Sequence, residues 1–273
     1  MRLRTLLGIA LLVAAPSLPA NIELYVIDCG WIGLADVSAF GLTNSETDVR
    51  ELFVPCYLIE HPEGLMLWDG GLPLAMAGRP RQEMQPGMEV EYKVSLIEQL
   101  AGIGVKPQDI DQVAFSHFHF DHVGAANAFA FSTLLIQQTE YDAAFAAEVT
   151  NPVFERSLYE GLSKSEKVLL NGDHDVFGDG RVRIISAPGH TPGHQVLLLN
   201  LDKTGKVLLS GDLYHFEFNR TARRTPVFNT NAEQTLASMT RVEELLKAEG
   251  AKLWIEHSLA LAQSQKKIPA YYE

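Results

Sequence analysis

Ser116–His117–Phe118–His119–Phe120–Asp121–His122 is the stretch around which this chain is organised. Three imidazoles and one carboxylate fall within six residues. Neutral imidazole and carboxylate are the side chains that hold zinc or a similar divalent metal. The apolar run from Gln112 to Phe115 feeds straight into the cluster. That places it on a loop after a buried strand. A loop can turn several side chains inward at once, whereas a strand alternates them between faces and a helix would separate His117 from His119.

The chain holds nine histidines. Three being here argues against a solvated polar loop that is histidine-rich by chance. His190 lies in Gly189–His190–Thr191–Pro192–Gly193–His194, and His257 follows Ile255–Glu256. Asp212, in Ser210–Gly211–Asp212, ends another apolar run. Four strand-end clusters converging on one place would form a metal site.

These motifs, H-x-H-x-D-H, G-H-T-P-G-H, G-D and a late His, resemble the metallo-β-lactamase superfamily, and within it the N-acyl-homoserine lactonases. The resemblance covers nearly all of the chain after residue 21. It implies an α/β fold, the αββα sandwich of two mixed sheets with helices outside and metals at one edge. It implies that His117, His119 and His190 hold one Zn2+, that Asp121, His122 and His257 hold a second, and that Asp212 bridges them. The reaction implied is opening of a homoserine lactone or related lactone by a hydroxide bridging the metals. Asp121 would pass a proton to the leaving alkoxide. Tyr214, two residues beyond Asp212, would be the oxyanion donor, or else a packing residue. Asp69, in Trp68–Asp69–Gly70–Gly71, matches the family's D-x-G element and would fix a ligating histidine from behind. His194 reads as a supporting residue, and His61 and His174 as turn residues.

Residues 1–20 read as a secretory signal peptide: Arg2 and Arg4, an apolar core from Leu6 to Ala15, and a cleavage region ending at Ala20. The core is too short to span a bilayer comfortably. Residues 21–273 then form a single domain in an exported, periplasmic or secreted protein with no membrane anchor. The formal charge is −12 and becomes −14 once Arg2 and Arg4 are removed, which opposes nucleic-acid binding. Cys29 and Cys56 read as buried small hydrophobes. An exported compartment would permit a disulfide if their strands are neighbours.

Strands are expected over 23–29, 52–59, 65–68, 133–137, 181–187, 195–201, 207–211 and 251–255. Helices are expected over 94–102, with Val94, Ile97 and Leu100 on one face, over 140–148, and over 231–249 with Asn231 as cap. Residues 72–92, with Met76, Met84 and Met88, read either as a surface excursion or as a flexible apolar lid. Arg220, Arg223 and Arg224 read as a solvated basic loop, against contacts to a substrate head or partner subunit.

Two other hydrolases share the first motif. An exported zinc β-lactamase generally lacks the bridging carboxylate. A glyoxalase II-type thioesterase shares all seven ligands, but sixteen residues after His257 leave no room for its C-terminal helical domain. The expected partner is a small lactone. The sequence leaves open a homodimer, the acyl-chain length and the metal's identity.

Overall fold

Alternation decides which sheet face each side chain serves. In the strand Gly64–Trp68, Leu65 and Leu67 pack into one apolar cluster, while Met66 and Trp68 pack into another. In Gln195–Leu201, Leu197, Leu199 and Leu201 share the cluster of Met66 and Trp68, whereas Val196 and Leu198 face the opposite way. Period-two burial on both faces means each sheet is covered on both sides.

The computed structural model describes residues 21–273; the expected signal peptide lies outside the described residues. The first sheet has nine strands: β1 (Glu23–Leu34), β2 (Glu51–His61), β3 (Gly64–Trp68), β4 (Arg79–Gln85), β5 (Met88–Tyr92), β6 (Gln112–Ala114), β7 (Thr133–Gln137), β8 (Lys167–Leu170), and, after the elements below, Tyr271–Tyr272. The order is β4-β5-β1-β2-β3-β6-β7-β8, with Tyr271–Tyr272 paired on β1. The second sheet holds β9 (His174–Asp175), β10 (Val182–Ser186), β11 (Gln195–Leu201), β12 (Gly205–Leu209) and β13 (Lys252–Trp254), ordered β13-β12-β11-β10-β9. Both are mixed: β3-β6, β6-β7, β7-β8 and β12-β13 run parallel, and the other pairs antiparallel.

The cluster containing Trp68 and Leu197 lies between the sheets. Helix α1 (Leu96–Gly102) follows β5 and covers the outer face of the first sheet. Ser95 and Glu98 form its capping box. Leu100 and Ile97 pack inward as expected, joined by Leu96, while the helix begins two residues later than expected and Val94, ahead of it, is exposed. Helix α2 (Gln138–Ala144) starts and stops earlier than expected. Helix α3 (Glu217–Ala222) precedes α4 (Ala232–Glu249), which packs Met239, Val242 and Leu246 on the outer face of the second sheet. The Asn231 side chain accepts from the Gln234 N–H, as the cap predicts. Helix α5 (Leu259–Ser264) closes the set. The layering is αββα, as the motifs imply. Among the described residues, no helix is long and apolar enough to cross a membrane.

Three sequence expectations change. Residues 79–92 form the hairpin β4-β5, extending the first sheet beyond β1. His61 is buried, bonded to Asp179 at 3.0 Å and stacked on Phe177, instead of lying on a surface turn. Cys29 and Cys56 form a disulfide. Their strands are antiparallel neighbours, with Ile27 opposite Cys56 and a bulge after Asp28. The buried environment expected for two small hydrophobes therefore also places the two sulfurs together.

Candidate active site

The C-terminal ends of β3, β6, β10, β12 and β13 open at one edge, and each delivers a polar residue there. His117, His119, Asp121 and His122 follow β6; His190 lies between β10 and β11; Asp212 follows β12; His257 follows β13. All seven are buried.

The Asp212 carboxylate spans two groups of nitrogens. Its Oδ2 lies 3.3 Å from His190 Nε2 and 3.5 Å from His117 Nε2. Its Oδ1 lies 2.8 Å from His257 Nε2 and 3.2 Å from His122 Nε2. His119 Nδ1 is 3.1 Å from His190 Nε2, and Asp121 Oδ2 is 3.8 Å from His257 Nε2. His117, His119, His190 and Asp212 form one ligand-capable group, and Asp121, His122 and His257 a second. This is the division expected from the sequence.

Outer contacts settle which nitrogen of His117, His122, His190 and His257 points inward. His190 Nδ1 lies 2.8 Å from Asn229 Oδ1 and His257 Nδ1 2.8 Å from the Phe53 carbonyl, so both donate outward and turn Nε2 toward the centre. His122 Nδ1 donates to Asp69 Oδ2 at 2.9 Å. The Ser116 hydroxyl donates to the same carboxylate at 2.9 Å and accepts from His117 Nδ1 at 3.0 Å. Asp69 thus supports two imidazoles, one through Ser116. Its backbone sits at φ 61°, an uncommon conformation for a residue with a side chain. Nε2 of His117, His119 and His122 and Oδ1 of Asp212 are buried without a hydrogen-bond partner. Orphaned buried acceptors converging from two loops, beside His190 and His257 from two more, are the donor set a pair of divalent cations requires.

The loops themselves are tied together. Glu140, fully buried, accepts from the Phe118 N–H at 3.0 Å through one oxygen and from the Gly193 N–H at 2.8 Å through the other. Burial pushes its carboxyl up, against those donors. His194 is the supporting residue expected: its Nε2 accepts from the Asp212 N–H at 2.9 Å, and its Nδ1 donates to the Ala187 carbonyl. Burial holds its imidazole down at about 3, so it stays a neutral acceptor. Gly211 precedes Asp212 at φ 48°, where an added Cβ would sit 2.6 Å from His194 Nε2. Glu256 Oε1 accepts from the Gly211 N–H and the Trp68 indole, and burial lifts its carboxyl to about 8.

Charge at the centre is unequal. Burial and neighbouring imidazoles drive His117 and His119 well below the usual histidine range. Burial also opposes charge on His122 and His257, but Asp212 and the carboxylates beside it outweigh that, raising His122 and lifting His257 to about 9.

Tyr214 does not face this centre. Its hydroxyl donates to Glu243 Oε1 at 2.9 Å, on the α4 side, and Arg220 grips the same carboxylate through two nitrogens. The turn Gly211–Leu213 ends with Tyr214 extended, which sends its ring into the cluster beneath α4. The oxyanion role expected for Tyr214 is therefore corrected to packing. His215, one residue on, faces inward: its Nε2 lies 2.9 Å from Asp212 Oδ2. Sequence reasoning missed it. The available signal was its three-residue spacing from Asp212, which brings two side chains to one side of a tight turn. Arg223 and Arg224 bond to Leu236, Thr240, Gly41 and Glu46, so the three arginines fasten loops instead of forming a free basic surface.

A cavity of about 620 Å3 opens over the centre, with His119, Asp121, Asp212, His215 and His257 in its floor. Phe40, Phe120, Phe154 and Phe228 supply apolar wall, and the tip of the β4-β5 hairpin brings in Met84 and Met88. Met76 lies elsewhere, beside a smaller pocket.

The model of the Metallo-beta-lactamase superfamily matches residues 49–249. The chain belongs to this superfamily. Within it, the chain is 31% identical to the N-acyl homoserine lactonase AttM of Azorhizobium caulinodans, over 93% of this chain and 99% of that one. It is 29% identical to the N-acyl homoserine lactonase AiiA of Bacillus thuringiensis subsp. kurstaki, over 91% and 98%. A solved N-acyl homoserine lactone hydrolase, with N-hexanoyl-L-homoserine bound at its catalytic metal centre, superposes with a TM-score of 0.78 at 27% identity, covering 92% of this chain and 99% of that one. The seven inward side chains at this edge of the layered fold are the groups that could hold metal.

Proposed function

We propose that the protein is a dinuclear metal hydrolase that opens the ring of N-acyl-homoserine lactones or closely related lactones. The observation that carries the reading is the Asp212 carboxylate, one oxygen toward each ligand group, at the floor of a largely apolar cavity. The relatives' activity and the bound acyl-homoserine product in a similar structure support it. Zinc suits the nitrogen and carboxylate donors. Two such ions would draw a nucleophile from water near neutral pH and polarise the ester carbonyl.

The chain's own groups do the rest. His190, His257 and His122 are locked in orientation by Asn229, Phe53 and Asp69, so Asp212 is met by preset nitrogens. The phenylalanines and Met84 and Met88 offer an acyl chain an apolar lining and exclude water from it. Asp121 lines the cavity and carries the proton to the departing ring oxygen. The ester C–O bond breaks, leaving a carboxylate and an alcohol. We read the β4-β5 hairpin as the cavity's lid.

A hydrolysis panel on purified, zinc-loaded protein tests this reading. Acyl-homoserine lactones of graded chain length, a simple lactone, a cephalosporin and S-lactoylglutathione separate it from the β-lactamase and thioesterase readings. Export is part of the proposal. The Cys29–Cys56 disulfide favours an oxidising compartment. N-terminal sequencing from an exporting host should find a chain starting near Asn21; intact Met1 in cytoplasmic protein would contradict export.

A further inference from the structure

We propose that His215 is the hydrogen-bond donor that receives the substrate's carbonyl oxygen as it becomes an oxyanion, a catalytic residue beyond the seven ligand candidates. The proposal rests on the hydrolase reading above and assigns the donor that Tyr214 does not supply.

The geometry carries it. Asp212 lies inside the tight turn after β12, and His215 follows three residues later on the same side. His215 Nε2 is 2.9 Å from Asp212 Oδ2, the oxygen that also faces His117 and His190. An ionised carboxylate only accepts, so Nε2 carries the hydrogen and is a donor aimed at the centre. The ring is held in place. Phe40 lies 5.0 Å from it and Phe228 6.0 Å, and His257 is nearly parallel at 5.8 Å. A donor fixed before the reaction needs no reorganisation as charge develops.

The cavity offers few substitutes. Apart from the ligand candidates and His215, its polar lining side chains are Asp36, Gln85 and Glu155. The two carboxylates, when ionised, cannot donate. Gln85 is exposed on the hairpin tip, away from the floor. His215 is buried and belongs to the floor. Attack on the ester carbonyl converts C=O to C–O⁻ and the N–H bond to that oxygen strengthens. When the ring C–O bond breaks, the carbonyl re-forms. No proton leaves His215, so the step balances without further reagents.

The test compares His215→Leu and His215→Gln with the parent as zinc-loaded holoenzyme. Leucine fills space without donating, whereas the glutamine amide places an N–H near the position of Nε2. Both variants should match the parent in metal content by elemental analysis. His215→Leu should lose about 10²-fold in kcat with little change in KM, and His215→Gln should recover at least tenfold of that loss. Rates are read on whichever ester of the panel the parent turns over, so failure on homoserine lactones counts against the substrate assignment and leaves His215 testable. A second readout needs no turnover: calorimetric binding of hexylphosphonate, a tetrahedral anion with an apolar tail. Its affinity should weaken about tenfold in the leucine variant and persist in the glutamine one. Parental kcat and parental phosphonate affinity in His215→Leu would make His215 a wall residue and overturn the proposal. Loss of bound metal in that variant would make it a ligand and overturn it equally.

Discussion

The backbone N–H of Asp212 donates to His194 Nε2 at 2.9 Å, while the Nδ1–H of the same ring donates to the Ala187 carbonyl. A neutral imidazole thereby fixes the main chain of the residue that spans both ligand groups. His194→Leu removes the acceptor and leaves a buried N–H unpaired. Zinc affinity, measured by competition with a chromophoric chelator, should fall about 10–100-fold, the usual loss when a residue supporting a metal ligand is removed. Unchanged affinity would mean that the turn at Gly211 holds Asp212 unaided.

Asp69 makes a separable case. Its carboxylate accepts from His122 and from Ser116, and its backbone has positive φ. Asparagine tolerates that conformation, so Asp69→Asn tests the charge and acceptor alone. The expected outcome is a folded protein with about 10–100-fold weaker metal binding, felt first in the group containing His122. A fall in melting temperature without weaker metal binding would assign Asp69 to folding alone.

Protons compete with metal here, and the sign follows from the raised groups. In the metal-free protein, Asp212 and its neighbours lift His257 to about 9 and raise His122. The His257 ring therefore holds its proton at neutral pH, and an ion must displace it. Apparent zinc affinity should rise between about pH 6 and pH 8, and zinc added to stripped protein in weak buffer should acidify it. Affinity that falls over that range would contradict the assignment.

The Cys29–Cys56 disulfide closes a loop between neighbouring strands, its cysteines 27 positions apart in sequence. The chain-entropy relation puts its contribution at about 3–4 kcal/mol. The pair of variants Cys29→Ser and Cys56→Ser should lower stability by about that much in denaturant melts. Neither sulfur belongs to the ligand groups, so metal content should stay at the parent value.

Much of this was legible before any coordinates. The meeting of the seven ligand candidates was legible because scarce histidines sat at the ends of apolar runs, and their strands end at one edge. The helix over 232–249 was legible because cap, periodicity and terminal glycine agreed. What failed depended on dihedral angles. Tyr214 and His215 differ by one position after Asp212, and only the turn conformation decides which ring faces the centre. The β4-β5 hairpin escaped because its strands are mostly exposed and lack a clean alternation of polar and apolar residues. Pairing of Cys29 with Cys56 needed the strand register, which residue types alone do not specify.

The central claim joins Asp212 to lactone opening through two ions. The most direct measurement is the rate of acid release from N-hexanoyl-L-homoserine lactone, followed with elemental analysis, for the parent and for Asp212→Ala. The account predicts about two zinc-type ions per parent chain, ring opening abolished by chelation and restored by zinc, and an Asp212→Ala protein deficient in both metal and rate. A parent holding two ions that leaves the lactone intact while cleaving the cephalosporin or S-lactoylglutathione would contradict it.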